Sequence, residues 1–354
     1  MLRDFIRKVT LRENLTLSEA REAMELIMTG QSTVTELAGY LVALKMKGET
    51  VEEITGSALA MRAKALPVTP LAKEVVDTCG TGGDGSTSFN ISTTAALIVA
   101  GAGIPVAKHG NRAVSGRSGS ADLLEALGVN LDLTPSEMAK CIDAVGIGFL
   151  FAPRLHPAMK HAAGPRRELG IRSIFNLLGP LTNPAGAQSQ LIGVYDPSLT
   201  ETIAGVLQNL GLCRAMVVHG CGGLDEVSLA GWTRVTELKE GNLKTYDLYP
   251  EDFGLTSVAL SEIQGGGPEE NAQISREILA GVRNGRRQVA LANAALALVV
   301  AGAAKTPRQG VALAARAIDS GRAAKKLEEL RAFTSGMLSP NQTVAVGGES
   351  HGKI

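Results

Sequence analysis

Aromatic side chains make up only 3% of the 354 residues, too few for the stacking platforms that hold single-stranded nucleic acid. Neither sign of charge is in excess: Lys+Arg and Asp+Glu stand at 35 each. That balance removes the electrostatic basis for binding nucleic acid or an anionic membrane surface. Cysteine is sparse, and Cys79, Cys141, Cys213 and Cys221 have neither CxxC nor metal-like spacing. Free thiols in a reducing compartment are expected. Long apolar runs are missing too. The longest, residues 289–304, is interrupted by Asn293, falls short of the roughly 20 residues that span a bilayer, and predicts a buried helix. The opening MLRDFIRKVT lacks the apolar core of a secretory signal. No nucleophile elbow or Ser/Cys triad pattern is present, so covalent catalysis is not indicated. A soluble cytoplasmic protein follows, long enough for one large domain and a smaller one.

Glycine, in contrast, is plentiful, and it is clustered. Residues 77–93 read DTCGTGGDGSTSFNIST, with Gly80, Gly82, Gly83 and Gly85 packed into six positions after Val75 and Val76. A chain so rich in glycine turns sharply and can aim several N–H groups at one point. The hydroxyl- and amide-rich run Ser86, Thr87, Ser88, Asn90, Ser92, Thr93 then leads into AALIVAGAG. Strand, glycine loop and helix N-terminus in that order form a phosphate cradle. An ordinary tight turn would not need the hydroxyl cluster. A second small-residue segment, KHGNRAVSGRSGSAD at 108–122, adds the cations Lys108, Arg112 and Arg117 after a predicted strand, where α/β ligands gather. Lys108 suits pyrophosphate as a point charge, and Arg112 offers a planar fork. Ser120 doubles as a candidate N-cap for ADLLEAL. Two cradles in succession predict a ligand with more than one phosphate.

Elsewhere, Thr16, Thr33 and Thr50 each precede a Glu by three positions, the signature of capping boxes that open helices. Residues 1–68 are read as a helical unit closed by Pro67, with Pro70 following. From 69 to 354 short β-branched runs (EVVDTC, IPVAKH, GIGFLFA, QLIGVYD, AMVVHG) alternate with helical stretches at 120–127, 135–145 and 198–210. This predicts an α/β domain with a mostly parallel sheet. A hairpin over 235–248 would make the sheet mixed. Asp225 and Glu226 follow a buried run and a CGGL loop. As hard oxygen ligands near phosphates they suit Mg²⁺, which shares its ligands with substrate; alone they would read as a surface turn. Arg166 is a candidate for pairing with a carboxylate substrate, while Arg167 and Arg172 read equally well as a charged helix face.

The ordered set DTCGTGGDGSTSFNIST, KHGNRAVSGRSGSAD, GPRRELGIRSIFNLLGPLTNP and LDE resembles the anthranilate phosphoribosyltransferase family of tryptophan biosynthesis, nearly end to end. The resemblance implies a nucleoside-phosphorylase-type fold in which a segment near 165–190 packs on the N-terminal helices. It also implies a homodimer joined through the small domain. Carried over, Gly80, Gly83, Asp84, Ser88, Asn90, Ile91, Ser92 and Thr93 would hold 5-phosphoribosyl 1-pyrophosphate. Lys108, His109, Gly110, Asn111, Arg112, Ala113, Val114, Ser115, Gly116 and Ser120 would complete that site. Gly80, Asn111 and Arg166 would contact anthranilate, and Ser92, Asp225 and Glu226 would hold Mg²⁺. Lys108 is the favoured catalytic group, acting through charge and position. Cys79 is read as packing. A pyrimidine nucleoside phosphorylase shares the fold and a glycine loop but takes inorganic phosphate without an Asp-Glu pair. A non-catalytic nucleic-acid-binding relative would show a basic surface and degraded cradles. KHGNR, LDE and the neutral charge balance favour the transferase over both.

Overall fold

Each N-terminal helix begins where a Thr hydroxyl and a Glu carboxylate satisfy free backbone donors reciprocally. In the computed structural model, which describes residues 1–113 and 117–337, the helices Leu17–Met28, Val34–Lys47 and Val51–Lys64 open on Thr16, Thr33 and Thr50. Glu19, Glu36 and Glu53 return the bond. With the helix Leu2–Thr10 they bury Phe5, Met24, Ile27, Tyr40, Leu41 and Ile54. Their core is not theirs alone. Ile174, Phe175, Leu178 and Leu181 of the helix Ile174–Leu181 join it, as do Ile192 and Val217 from the sheet and Val194 just past a strand end.

Seven strands make that sheet: β1 Val76–Gly80, β2 Val106–Gly110, β3 Ile147–Phe151, β4 Ser189–Gly193, β5 Arg214–Gly220, β6 Thr233–Lys239 and β7 Asn242–Leu248. The spatial order is β3-β2-β1-β4-β5-β6-β7. The first five strands run parallel, while β6 and β7 form an antiparallel hairpin turning at Glu240 and Gly241. Alternation along the strands divides two cores. Leu191, Met216 and Val218 face the helices Ile91–Gly101, Gly285–Val300, Pro307–Asp319 and Arg322–Thr334, whereas Ile192 and Val217 face the N-terminal bundle.

The strand order sets the site. The chain leaves β1 for β2 and β3 on one side, then returns to lay β4 against the other side of β1. Ligands in open α/β sheets bind outside the carboxyl ends of strands at such a switch point. The glycine loop leaves β1 there. The helix Ser120–Ala126 departs from expectation by one position: Gly119 is its N-cap and Ser120 its first residue. Asp122 supplies the capping carboxylate by accepting the Gly119 N–H at 2.8 Å, which frees the Ser120 hydroxyl for other work. Among the described residues no helix is long and apolar enough to cross a membrane.

Candidate active site

Gly82, Gly83 and Gly85 all take positive φ, at 65°, 69° and 76°, a region that costs glycine nothing. The loop so formed folds against residues 225–226 rather than standing open. Gly82 N–H donates to Asp225 Oδ2 at 2.7 Å, and Ser92 N–H, in the first turn of the helix Ile91–Gly101, donates to Glu226 Oε1 at 3.0 Å. Asp84 closes the loop on itself by accepting the Ser86 N–H at 2.9 Å, and its other oxygen accepts from the Asp225 N–H at 3.4 Å. The acidic doublet thus sits on two main-chain donors that the sequence assigns to the cradle.

This approach demands bare backbone. A Cβ on Gly80 would lie 2.4 Å from Asp225 Oδ2, and one on Gly193, at the end of β4, 1.5 Å from the Asp225 carbonyl oxygen. Burial raises the Asp225 and Glu226 carboxyls above the ordinary carboxylate range, with the negative charge of Asp84 beside Asp225 and of Asp225 beside Glu226 adding to it. Lys108 opposes that rise at Glu226. It is buried, and its Nζ donates to the Thr78 carbonyl of β1. So the buried Lys108 meets a cluster of half-buried acids beneath an exposed glycine loop. A divalent cation coordinated by one or two carboxylates would relieve the remaining repulsion, and the donor set is hard oxygen throughout.

The two cradles are stitched together by amides. Asn90 Nδ2 donates to the Ser118 carbonyl at 2.9 Å, and Asn90 Oδ1 accepts from Ser118 Oγ at 3.1 Å and from Asn271 Nδ2 at 2.9 Å. Ser88 and Phe89 pair with Gln264 and Ile263 of the segment leading to Asn271. Ile91 and Thr93 are buried under the loop. In the second cradle the Ser120 hydroxyl bonds the Asn111 N–H and carbonyl, both at 3.2 Å. Ala113 N–H donates to Asp122 at 2.9 Å. Arg112 does not point a free fork: its guanidinium holds Asp122 at 3.0 Å and Glu125 at 2.8 Å. Val114, Ser115 and Gly116 lie outside the described residues.

His109 and Gly110 end β2. His109 Nδ1 meets the Gly179 carbonyl at 3.1 Å and its Nε2 meets His156 Nε2 at 3.2 Å. Burial drives His109 down to about 3 and His156 down to about 4. Both rings are neutral at physiological pH and serve as fixed hydrogen-bonding groups. Burial likewise holds the Cys79 thiol well above its usual value, in keeping with packing. Arg166 lies over the Phe175 ring at 4.9 Å, on the segment that joins the bundle core. Arg172 is exposed, as its reading as a surface charge has it, and from there it donates to the Gly83 carbonyl and stacks on Tyr195 at 4.3 Å. Asp77 and Asn271 were missed. Asp77 accepts from the His109 N–H at 3.1 Å and from Asn183 at 2.8 Å. Only the proximity of Asp77 to the glycine run hinted at its role.

A mixed sheet with a glycine loop at its switch point, backed by a helical bundle, matches a glycosyl transferase family in both of its parts. The chain matches the model for the glycosyl transferase family a/b domain over residues 72–324 and that for the family's helical bundle domain over residues 3–65. Individual relatives narrow the class. The anthranilate phosphoribosyltransferase of Moorella thermoacetica is 57% identical over 333 residues, covering 94% of this chain and 98% of the relative. That of Symbiobacterium thermophilum is 56% identical over the same shares of both chains. Among solved structures, the Thermus thermophilus anthranilate phosphoribosyltransferase superposes with a TM-score of 0.89 at 45% identity, covering 93% of this chain and 99% of that one. The Saccharomyces cerevisiae enzyme in complex with PRPP and Mg gives 0.88 at 30% identity, covering 95% and 98%. The chain belongs to the anthranilate phosphoribosyltransferase family.

Proposed function

We propose that the protein transfers the phosphoribosyl group of 5-phosphoribosyl 1-pyrophosphate to the amine of anthranilate, in tryptophan biosynthesis. The C1–O bond to pyrophosphate breaks, the N–C1 bond forms, and the amine proton leaves to solvent or to the released pyrophosphate. The observation that carries this reading is the meeting of the Gly82 and Ser92 amides, Lys108 and the Asp225-Glu226 pair at the carboxyl ends of β1 and β2.

An aniline-type amine is neutral at physiological pH, so no strong base is required before attack. The harder event is departure of pyrophosphate while positive charge grows on the ribose. We assign Gly80, Gly83, Asp84, Ser88 and residues 90–93 to the phosphoribosyl pyrophosphate, with residues 108–116 and Ser120. Gly80, Asn111 and Arg166 are assigned to anthranilate. Asp225 and Glu226, with Ser92, would hold Mg²⁺, which when bound neutralises charge on the leaving pyrophosphate. The buried ammonium of Lys108, already fixed on Thr78, contributes preorganised positive charge. The residues of the two cradles position the reactants, the other large source of rate.

The Saccharomyces cerevisiae complexes with PRPP and Mg and with 4-fluoroanthranilate support this reading. Four free cysteines support a reducing, cytoplasmic setting. Leu11 and Met46, both more than 70% exposed on the bundle, support a homodimer through residues 1–68, testable by sedimentation. The decisive assay is the loss of anthranilate fluorescence when phosphoribosyl pyrophosphate and Mg²⁺ are added to purified protein. Phosphorolysis of thymidine in place of that loss would point to the nucleoside phosphorylase instead.

A further inference from the structure

Helix Gly285–Val300 buries Val289, Ala290, Leu291, Ala292, Ala294, Ala295 and Leu296, and in their midst stands Asn293, 1% exposed. A primary amide in such surroundings is costly unless every bond is made. Here Oδ1 accepts from the Val227 N–H at 2.9 Å, while Nδ2 donates to the Val227 carbonyl at 3.1 Å and to the Val289 carbonyl at 3.0 Å. One side chain gives Val227 the pair of complementary bonds that a neighbouring strand would give. Val227 belongs to no strand, and it directly follows Glu226.

The backbone on either side is tied separately. Gly220 and Leu224 exchange bonds at 2.8 and 3.1 Å, and Ser228 N–H donates to Thr233 Oγ1 at 2.9 Å. Between those ties Asn293 is the hold that reaches the doublet's main chain from the core. An apolar residue at 293 would pack well but would leave both polar groups of Val227 stranded.

We propose that Asn293 is a positioning residue for the acidic doublet. It fixes the peptide after Glu226 so that the Glu226 carboxylate meets the Ser92 amide and the Asp225 carboxylate meets the Gly82 amide. The assignment rests on the reading of this site as one for Mg²⁺ and phosphoribosyl pyrophosphate. Groups that orient metal ligands change metal affinity by roughly 10- to 100-fold when lost. Acting through backbone, Asn293 belongs at the lower end.

The test is Asn293→Leu, similar in size and apolar. Calorimetric titration with Mg²⁺ and phosphoribosyl pyrophosphate, anthranilate being absent, should show affinity lowered roughly ten-fold. The Mg²⁺ concentration for half-maximal turnover should rise by the same factor, with KM for anthranilate unchanged. A folded variant with a lower melting temperature but unaltered Mg²⁺ dependence would overturn the proposal, as would equal losses for both substrates. If Asn293→Leu does not fold, Asn293→Ala, which loses the same bonds to Val227 without added bulk, carries the test with the same roughly ten-fold shift expected. Wild-type protein that fails to bind Mg²⁺ with the sugar would sink the transferase reading. Wild-type binding matched by the variants would sink the role of Asn293 alone.

Discussion

Gly193 shows how a residue without chemistry can govern a reactive group. Its hydrogen side accommodates the Asp225 carbonyl, so Gly193→Ala forces main chain against main chain. Overpacking of that kind costs about 1–3 kcal/mol or more, and urea unfolding should record such a loss together with loss of turnover. The carboxylates themselves invite the opposite experiment. Asp225→Asn Glu226→Gln keeps the acceptors for Gly82 and Ser92 while removing charge. Turnover should drop roughly 10²–10³-fold. Because both folded carboxyls lie above the ordinary range, their stabilisation is fully present below the unfolded carboxyl value and fades as pH rises through the folded one. At neutral pH without Mg²⁺ the amide variant should therefore unfold at a urea concentration no lower than wild type. At this scale the glycine run and the acidic pair were legible from residue type and spacing. That the pair occupies the cradle's own donors was not, because a sequence carries no record of which acceptor fills an amide.

At the scale of elements, the segment before the helix Pro268–Leu279 clasps the glycine loop, and Asn271 completes the clasp. Its Oδ1 accepts the Gly266 N–H at 2.8 Å while Nδ2 reaches Asn90. Asn271→Ala strands the buried Gly266 amide, a loss of about 1–3 kcal/mol, and leaves Asn90 Oδ1 with Ser118 Oγ as its remaining donor. Hydrogen exchange across 86–90 should quicken and KM for phosphoribosyl pyrophosphate should rise; unchanged exchange would argue against the clasp. The helices and strands around it were readable because T-x-x-E and two-residue alternation are local signals. Ser120 deceived by one position, since Gly119 and Asp122 together satisfy the same donors. Arg172 escaped because an arginine in an irregular stretch has no periodic partner to betray what it touches.

Across the whole molecule, strand order was the hidden quantity. Periodicity finds each strand but not that β4 lies beside β1, which brings Asp225 to Gly82. The N-terminal bundle and the sheet share one core through Ile192 and Val217, so calorimetry should record a single unfolding transition; two separated transitions would refute the shared core. The neutral pair His109 and His156 adds a pH dependence of the reverse sign to the carboxylates. Their folded values lie below the unfolded value of about 6.5, so the stability they provide is present above it and is lost as pH falls towards 4 and 3. Between pH 6.5 and 5 this amounts to roughly 2 kcal/mol per imidazole. His156→Asn should flatten that acid limb in urea titrations.

The β6–β7 hairpin bends at Glu240 and Gly241, with φ of 50° and 77°, and β7 lies four strand spacings from β1, roughly 19 Å. Such a tip is a natural grafting point. A short epitope or a fluorophore-bearing peptide inserted between those two residues would ride on the rim of the molecule, giving a handle for surface immobilisation that leaves the catalytic end facing solvent.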